Sequence, residues 1–166
     1  MKNKTQGFTL IEIMVVIAIA AIMIGAAVLA FPDSSNDRLK EQGGRFSALI
    51  SLAQDEAILQ SQDLAVAIND SGYSFYRRES SVWVVYSDKP FVARVVDGGI
   101  QAEVVLEGVS IKLPSLKKAK PQIVIYSNGE MTPFSYNLSN QEKSKYTIQF
   151  DGGGNLKQEF IINEKI

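Results

Sequence analysis

The chain contains no cysteine and no histidine. Without thiols there is no disulfide, no thiolate nucleophile and no cysteine-based zinc cage, and without imidazole the usual acid-base catalyst near neutrality is missing. Oxidising surroundings are therefore harmless to it. An excess of charge of one sign is missing too: seventeen basic against eighteen acidic side chains leave a formal net charge of −1. That lacks the global positive charge of a nucleic-acid binder, so no nucleic-acid partner is expected. The carboxylates are scattered and no Ser or Lys stands in a nucleophile motif. The expectation is a protein that is not an enzyme and that needs no cofactor and no metal. At 166 residues there is room for one domain plus an anchor.

What is present in abundance is one apolar run. Ile13 through Phe31 carries no charge, and Glu12 stands alone at its front. As a helix, Phe8–Phe31 extends roughly 36 Å at about 1.5 Å per residue, against a hydrocarbon core of about 30 Å, so the stretch is long enough to span a membrane. A charge at the centre of an inserted helix costs on the order of 3 kcal/mol, less toward the headgroups. Glu12 therefore has either a partner or a place at headgroup level, facing water. Lys2 and Lys4 precede the run and hold the amino terminus in the cytoplasm by the positive-inside rule, which puts everything after Phe31 on the far side.

A secretory signal is cut after its apolar stretch and discards it. Here the small residue, Gly7, comes before the stretch. Gly7-Phe8-Thr9-Leu10-Ile11-Glu12 followed by an unbroken apolar helix resembles the class III leader of type IV pilins and type II secretion pseudopilins. The resemblance implies cleavage between Gly7 and Phe8 by a membrane-embedded prepilin peptidase, N-methylation of Phe8, and retention of the apolar segment. Removing Lys2 and Lys4 from the seventeen basic residues leaves fifteen, so the processed chain is mildly acidic. It also suggests a use for Glu12: its carboxylate pairs with the Phe8 amine of a neighbouring subunit, each charge answering the other's desolvation and setting register between helices.

Pro32 interrupts or kinks the helix, and Asp33-Ser34-Ser35-Asn36-Asp37 offers caps for a restart. Leu39, Phe46, Leu49, Ile50, Ala53 and Ala57 then recur at helical spacing, predicting an amphipathic helix whose stripe packs on its own domain. Gly43-Gly44 weakens it by roughly 1 kcal/mol per glycine, so a bend or loosening is expected there. From Leu64 the pattern turns to strands: 64–69, 73–77, 82–86, 91–96, 102–106, 110–113, 123–126, 134–138, 146–150 and 156–162, most of them separated by turn signals such as Asp70-Ser71-Gly72, Asp97-Gly98-Gly99, Asn128-Gly129 and Asp151-Gly152-Gly153-Gly154-Asn155. This spacing predicts an antiparallel sandwich of two sheets with the helix as its spine, an α+β, pilin-like fold. Trp83 is expected in the core. The Asp151–Asn155 loop lacks P-loop and EF-hand signatures and is read as a hairpin, and Lys117-Lys118-Ala119-Lys120 as a solvated loop.

Ser127-Asn128-Gly129-Glu130-Met131-Thr132-Pro133-Phe134 resembles the Gly-Glu-x-Thr-Pro-Phe signature of H-type minor pseudopilins, carried here by Gly129, Glu130, Thr132, Pro133 and Phe134, and Leu29-Ala30-Phe31-Pro32 is similar to them as well. Asn128-Gly129 is expected to form a type I′ turn, and Pro133 to confine the strand of Phe134 to an edge or to a start after the proline. The organisation expected is a leader at 1–7, a transmembrane assembly helix at 8–31, its amphipathic continuation at 32–62 and a periplasmic β-rich domain at 63–166. The resemblance implies a structural subunit of the type II secretion pseudopilus, near its tip, supporting export of folded proteins across the outer membrane. Its implied partners are the other minor pseudopilins, the major pseudopilin, the peptidase, the inner-membrane platform and, before assembly, membrane lipid. Two alternatives stand beside it: a FimT-type minor pilin serving pilus assembly or DNA uptake, and a signal-anchored periplasmic binding module.

Overall fold

The computed structural model describes residues 9–29, 34–96 and 98–163, with 24–29 and Ser34 described by backbone alone. Gly7, Phe8 and Pro32 lie outside the described residues. Two compact units are distinguished, residues 1–34 and 35–166.

In the first unit, helix α1 covers Leu10–Leu29. Helix α2, Ser34–Gln60, whose residues from Ser35 on belong to the second, buries the whole anticipated stripe: Leu39, Phe46, Leu49, Ile50, Ala53 and Ala57. Its outer face carries ion and amide pairs one turn apart, Arg45 with Glu41 and Gln60 with Glu56. The helix stops in a two-bond cap. Ser61 takes φ 51°, its N–H donates to the Ile58 carbonyl (3.2 Å), and the Gln62 N–H donates to the Ala57 carbonyl (3.0 Å). These are the paired bonds of a Schellman motif, with serine where glycine is usual.

Ten strands follow among the described residues: β1 Leu64–Asn69, β2 Gly72–Glu79, β3 Val82–Tyr86, β4 Arg94–Val95, β5 Gln101–Leu106, β6 Val109–Ile111, β7 Ile123–Ile125, β8 Phe134–Ser139, β9 Lys145–Phe150 and β10 Leu156–Ile161. They form two antiparallel sheets, β3-β2-β1-β7 with β4 also on β2, and β10-β9-β8-β5-β6. The stripe of α2 enters a core shared by both sheets, in which Phe46 meets Tyr73 of one sheet edge-on at 4.9 Å and Tyr136 of the other at 4.4 Å. Burial of the Tyr73 and Tyr136 rings raises both phenol pKa values above the ordinary 10.0, Tyr136 more strongly. At the start of α2, the buried Asn140 donates to Ser35 Oγ (2.9 Å) and Asn36 Oδ1 (2.8 Å) and accepts from the Ser144 N–H (3.0 Å). The loop after β8 is thereby tied to the helix.

Four expectations are corrected. Gly43-Gly44 does not interrupt α2; a Cβ on Gly43 would stand 2.3 Å from Cδ1 of Tyr146 on β9, so the glycine makes room for a ring. The strand expected over 91–96 shrinks to Arg94–Val95, while Phe91 is a buried core residue stacked on Tyr86 at 5.0 Å. Asn128-Gly129 is not a type I′ turn, because only Gly129 has positive φ (87°). A two-residue loop with positive φ at both positions occurs instead at Ser80-Ser81 (46° and 73°), between β2 and β3. Finally, Trp83 is only partly buried and lies outside the core, beneath the Arg78 guanidinium at 5.6 Å. Its strand is at the margin of its sheet, where one side of the ring has no neighbouring strand to cover it.

Candidate assembly site

The first candidate region is the front of α1. Thr9 precedes the helix, its carbonyl accepting from the N–H groups of Glu12 (3.1 Å) and Ile13 (3.3 Å) and its hydroxyl lying 3.4 Å from the Glu12 nitrogen. Thr9 thus caps the helix, and Glu12 falls at the third helical position, the acidic place of a Thr-x-x-Glu capping box. A carboxylate there also faces the positive end of the helix dipole, worth about 0.3–1 kcal/mol. Sequence reasoning gave Glu12 a partner in another subunit and missed Thr9, although the four-residue spacing is visible in the chain. Every described side chain from Leu10 to Met23 is exposed. Among the described residues no helix is long and apolar enough to cross a membrane; the described side chains of α1 end at Met23, while the sequence stays apolar through Phe31. The junction residues Gly7 and Phe8 lie outside the described residues, so Glu12 is the one member of the expected amino-terminal constellation with a described position.

The second region is the Gly129–Phe134 stretch, which carries the chain from one sheet to the other. Gly129 closes a turn by donating to the Tyr126 carbonyl (2.9 Å), and Tyr126 donates to the Glu130 carbonyl (2.8 Å). The Asn128 side chain accepts from the Glu130 N–H at 3.0 Å. The carbonyl of Gly129 accepts from Gln54 Nε2 of α2 at 2.6 Å, a helix-to-turn bond spanning 75 residues of sequence. Thr132 binds β7 twice: its N–H donates to the Val124 carbonyl (2.9 Å) and its hydroxyl accepts from the Val124 N–H (3.1 Å). Pro133 offers its carbonyl to the Glu107 N–H (3.0 Å), and β8 starts at the next residue, which satisfies the proline constraint. Phe134, buried, stacks on Phe150 at 6.5 Å and meets Phe46 edge-on at 6.3 Å. Gly129, Thr132, Pro133 and Phe134 are therefore joint-forming residues of the sandwich. The Glu130 side chain is exposed.

The Asp63 carboxylate near this stretch is likewise structural. It accepts from the Ser127 N–H (3.0 Å) and pairs with Arg78 (3.3 Å), fastening the same turn to the exit of α2. In the other sheet, Asp151 accepts from the Gly153 N–H (2.9 Å), which lowers its pKa, with Lys157 at 3.7 Å adding to the effect. The Asp151–Asn155 segment joins β9 to β10 as a hairpin. Lys117 and Lys118 lie exposed in a single 3-10 turn, and Lys120, also exposed, stands two residues beyond them.

Residues 42–154 match the family described as Type II transport protein GspH, and residues 2–28 match the Prokaryotic N-terminal methylation motif. The Type II secretion system protein H of Escherichia coli K12 is 30% identical over 146 residues, covering 83% of this chain and 83% of that one. Its counterpart from Aeromonas hydrophila is 26% identical, covering 94% of each chain. The solved structure of the minor pseudopilin EpsH from the type 2 secretion system of Vibrio cholerae has the same fold, with a TM-score of 0.63 at 22% identity over 74% of this chain and 97% of that one. The FimT-type alternative is not favoured by these matches. With a GspH match across the sandwich from α2 to the β9–β10 hairpin, and a methylation motif over α1, the chain belongs to the GspH family of type II transport proteins.

Proposed function

We propose that this chain is a minor pseudopilin that works by assembling, as a subunit near the tip of a type II secretion pseudopilus supporting the export of folded proteins across the outer membrane. The observation that carries this is α1 itself: an apolar helix of 20 residues, its described side chains all exposed, with a single acid at its capped front, in a chain of the GspH family. Such a surface is stable only in lipid or against other apolar helices. In this reading the leader Met1–Gly7 is removed by a prepilin peptidase, the new terminal residue Phe8 is methylated, and the helix first spans the inner membrane with its amino end cytoplasmic and the β-domain periplasmic. It then leaves lipid for a bundle of other pseudopilin helices, drawn by the inner-membrane platform.

Glu12 has two compatible tasks in this scheme. Within its own helix it occupies a capping position; between helices it answers the Phe8 amine of a neighbour. In water two charges 4 Å apart interact by about 1 kcal/mol, and by about 4 kcal/mol at an effective dielectric of 20, so the pair gains strength as lipid or helices exclude water. Deletion of the gene, with complementation by the unaltered chain, tests the reading. Loss of exoprotein secretion with the product recovered in sheared filaments is expected, whereas undisturbed secretion, or loss of DNA uptake alone, contradicts it.

A further inference from the structure

The two sheets have four outer margins, and three of them are protected. Beyond β7, the chain's own residues 130–132 bond to Val124 and Tyr126 and bridge Ile125 to Met131. The outermost strand β10 carries Lys157 and Glu159, and β6 is only three residues long, which are the usual devices against unwanted pairing. The fourth margin is shared by the two-residue β4 and by β3, Val82-Trp83-Val84-Val85-Tyr86: five residues with no charge and no proline, paired only with β2 among the described residues. Val82 and Val85 are 63% and 56% exposed, and Val84 is exposed as well. An uncharged, β-branched edge of this kind is a pairing template that soluble proteins ordinarily blunt.

The register says which groups are open. The two-residue loop Ser80-Ser81 makes Glu79–Val82 a hydrogen-bonded pair, and alternation along the ladder gives Arg77–Val84 and Phe75–Tyr86 the same status. Trp83 and Val85 therefore turn their N–H and C=O groups away from β2, offering about four hydrogen bonds to an incoming strand. Their side chains stand on the face opposite the core, beside Tyr76, while Val82 and Val84 stand on the other.

We infer that β3 is a docking edge for an extended strand of a different pilin-like subunit in the same filament. This rests on the proposed function above. The occupant follows from size and symmetry. A five-residue edge is too small to hold a freely diffusing protein, since stable interfaces bury about 1,200–2,000 Å². A neighbour already held through its membrane or bundle helix has a high effective concentration, so a short contact suffices. Pairing of β3 with β3 of a second copy is two-fold and closes on itself, whereas a filament grows through contacts that do not close. The fitting strand has apolar residues at consecutive positions, whose side chains alternate to cover Trp83 and Val85 on one face and Val84 on the other.

The absence of cysteine allows a direct test in cells making the whole secretion apparatus, with the full chain. Val85→Cys provides a unique thiol for a photo-crosslinker. Crosslinking to another pilin-like subunit, with none from a Val109→Cys control on β6, is the expected result. A crosslink only to a second copy of this chain, or none although the chain is recovered in filaments, overturns the inference. Val85→Pro removes an outward N–H without touching the β2 ladder and is expected to lower incorporation at least about tenfold; Val85→Lys, which charges the edge, serves the same purpose should the proline disturb the strand. Normal incorporation of both variants overturns the inference and leaves the pseudopilin reading intact, whereas absence of the unaltered chain from filaments overturns the two together.

Discussion

Gly43→Ala and Gly44→Ala are adjacent, chemically identical changes in the middle of one helix, and the structure assigns them opposite signs. Helix propensity alone favours both by about 1 kcal/mol, because alanine loses less backbone entropy than glycine. At Gly44 nothing opposes this, since the nearest heavy atom to an added Cβ is Tyr146 Oη at 3.9 Å, an ordinary contact. At Gly43 the added carbon falls 2.3, 2.5 and 2.7 Å from Cδ1, Cγ and Cε1 of the same tyrosine. The Cγ contact is decisive, for that atom sits next to the β9 backbone and cannot swing aside as a side-chain tip can. The ring is also held by a 2.7 Å bond from its hydroxyl to Gln158 and by Phe160 at 6.1 Å. Overpacking of this kind costs about 1–3 kcal/mol, so after the propensity gain of about 1 kcal/mol the expected net effect is a loss of up to about 2 kcal/mol for Gly43→Ala, against a gain of up to about 1 kcal/mol for Gly44→Ala. Urea unfolding followed by circular dichroism reads both, and Tyr146→Ala in the Gly43→Ala background is expected to restore the propensity gain. Equal or greater stability of Gly43→Ala relative to Gly44→Ala refutes the argument.

Other consequences are simpler to state. Glu12→Gln keeps a capping residue at the third helical position but removes the charge, so if the carboxylate pairs with a neighbour's amine the loss of about 3–5 kcal/mol for a broken buried pair shows as an incorporation defect on the order of a hundredfold or more in a pull-down of sheared filaments; normal incorporation excludes the pairing. Thr132→Val deprives the Val124 N–H of its acceptor and is expected to cost about 1–3 kcal/mol in urea unfolding, with an unchanged midpoint contradicting the bond's role. The raised pKa values of Tyr73 and Tyr136 mean that above pH 10.0 the unfolded chain loses phenol protons that the folded chain retains. The contribution of these two groups to stability is therefore level below that pH and falls as pH rises toward the folded values, and a pH-independent unfolding midpoint from 9 to about 12 would contradict the buried placement of both rings.

The sequence was most legible where periodicity speaks. All six apolar positions expected on the inner face of α2 are buried, and each of the ten expected strand segments overlaps a strand, because burial of one face imposes a repeat that single residues betray. It was least legible where two distant segments meet. Nothing in Gly43-Gly44 announces the Tyr146 ring, and nothing local to Gln54 points to the Gly129 carbonyl. The Ser80-Ser81 loop escaped notice because serine carries little preference for positive φ, so its type I′ geometry is imposed by the strands it joins. Trp83 was misjudged for a related reason: strand alternation gives the face of a residue but not whether its strand is central or marginal. The carboxy-terminal signature was recognisable as a family mark, yet its physical sense, a joint binding α2, β7 and β8, depends on partners as far away as Gln54.

The claim on which the account turns is that the apolar helix is kept and its leader lost. Intact-mass analysis of the protein purified from the cells that make it, with sequencing of its first residues, is the most direct test. A chain beginning at Phe8, lacking Met1–Gly7 and bearing one extra methyl group on its terminal amine, is the expected result. A chain that still begins at Met1, or one cut beyond Phe31 so that α1 is gone, would contradict it.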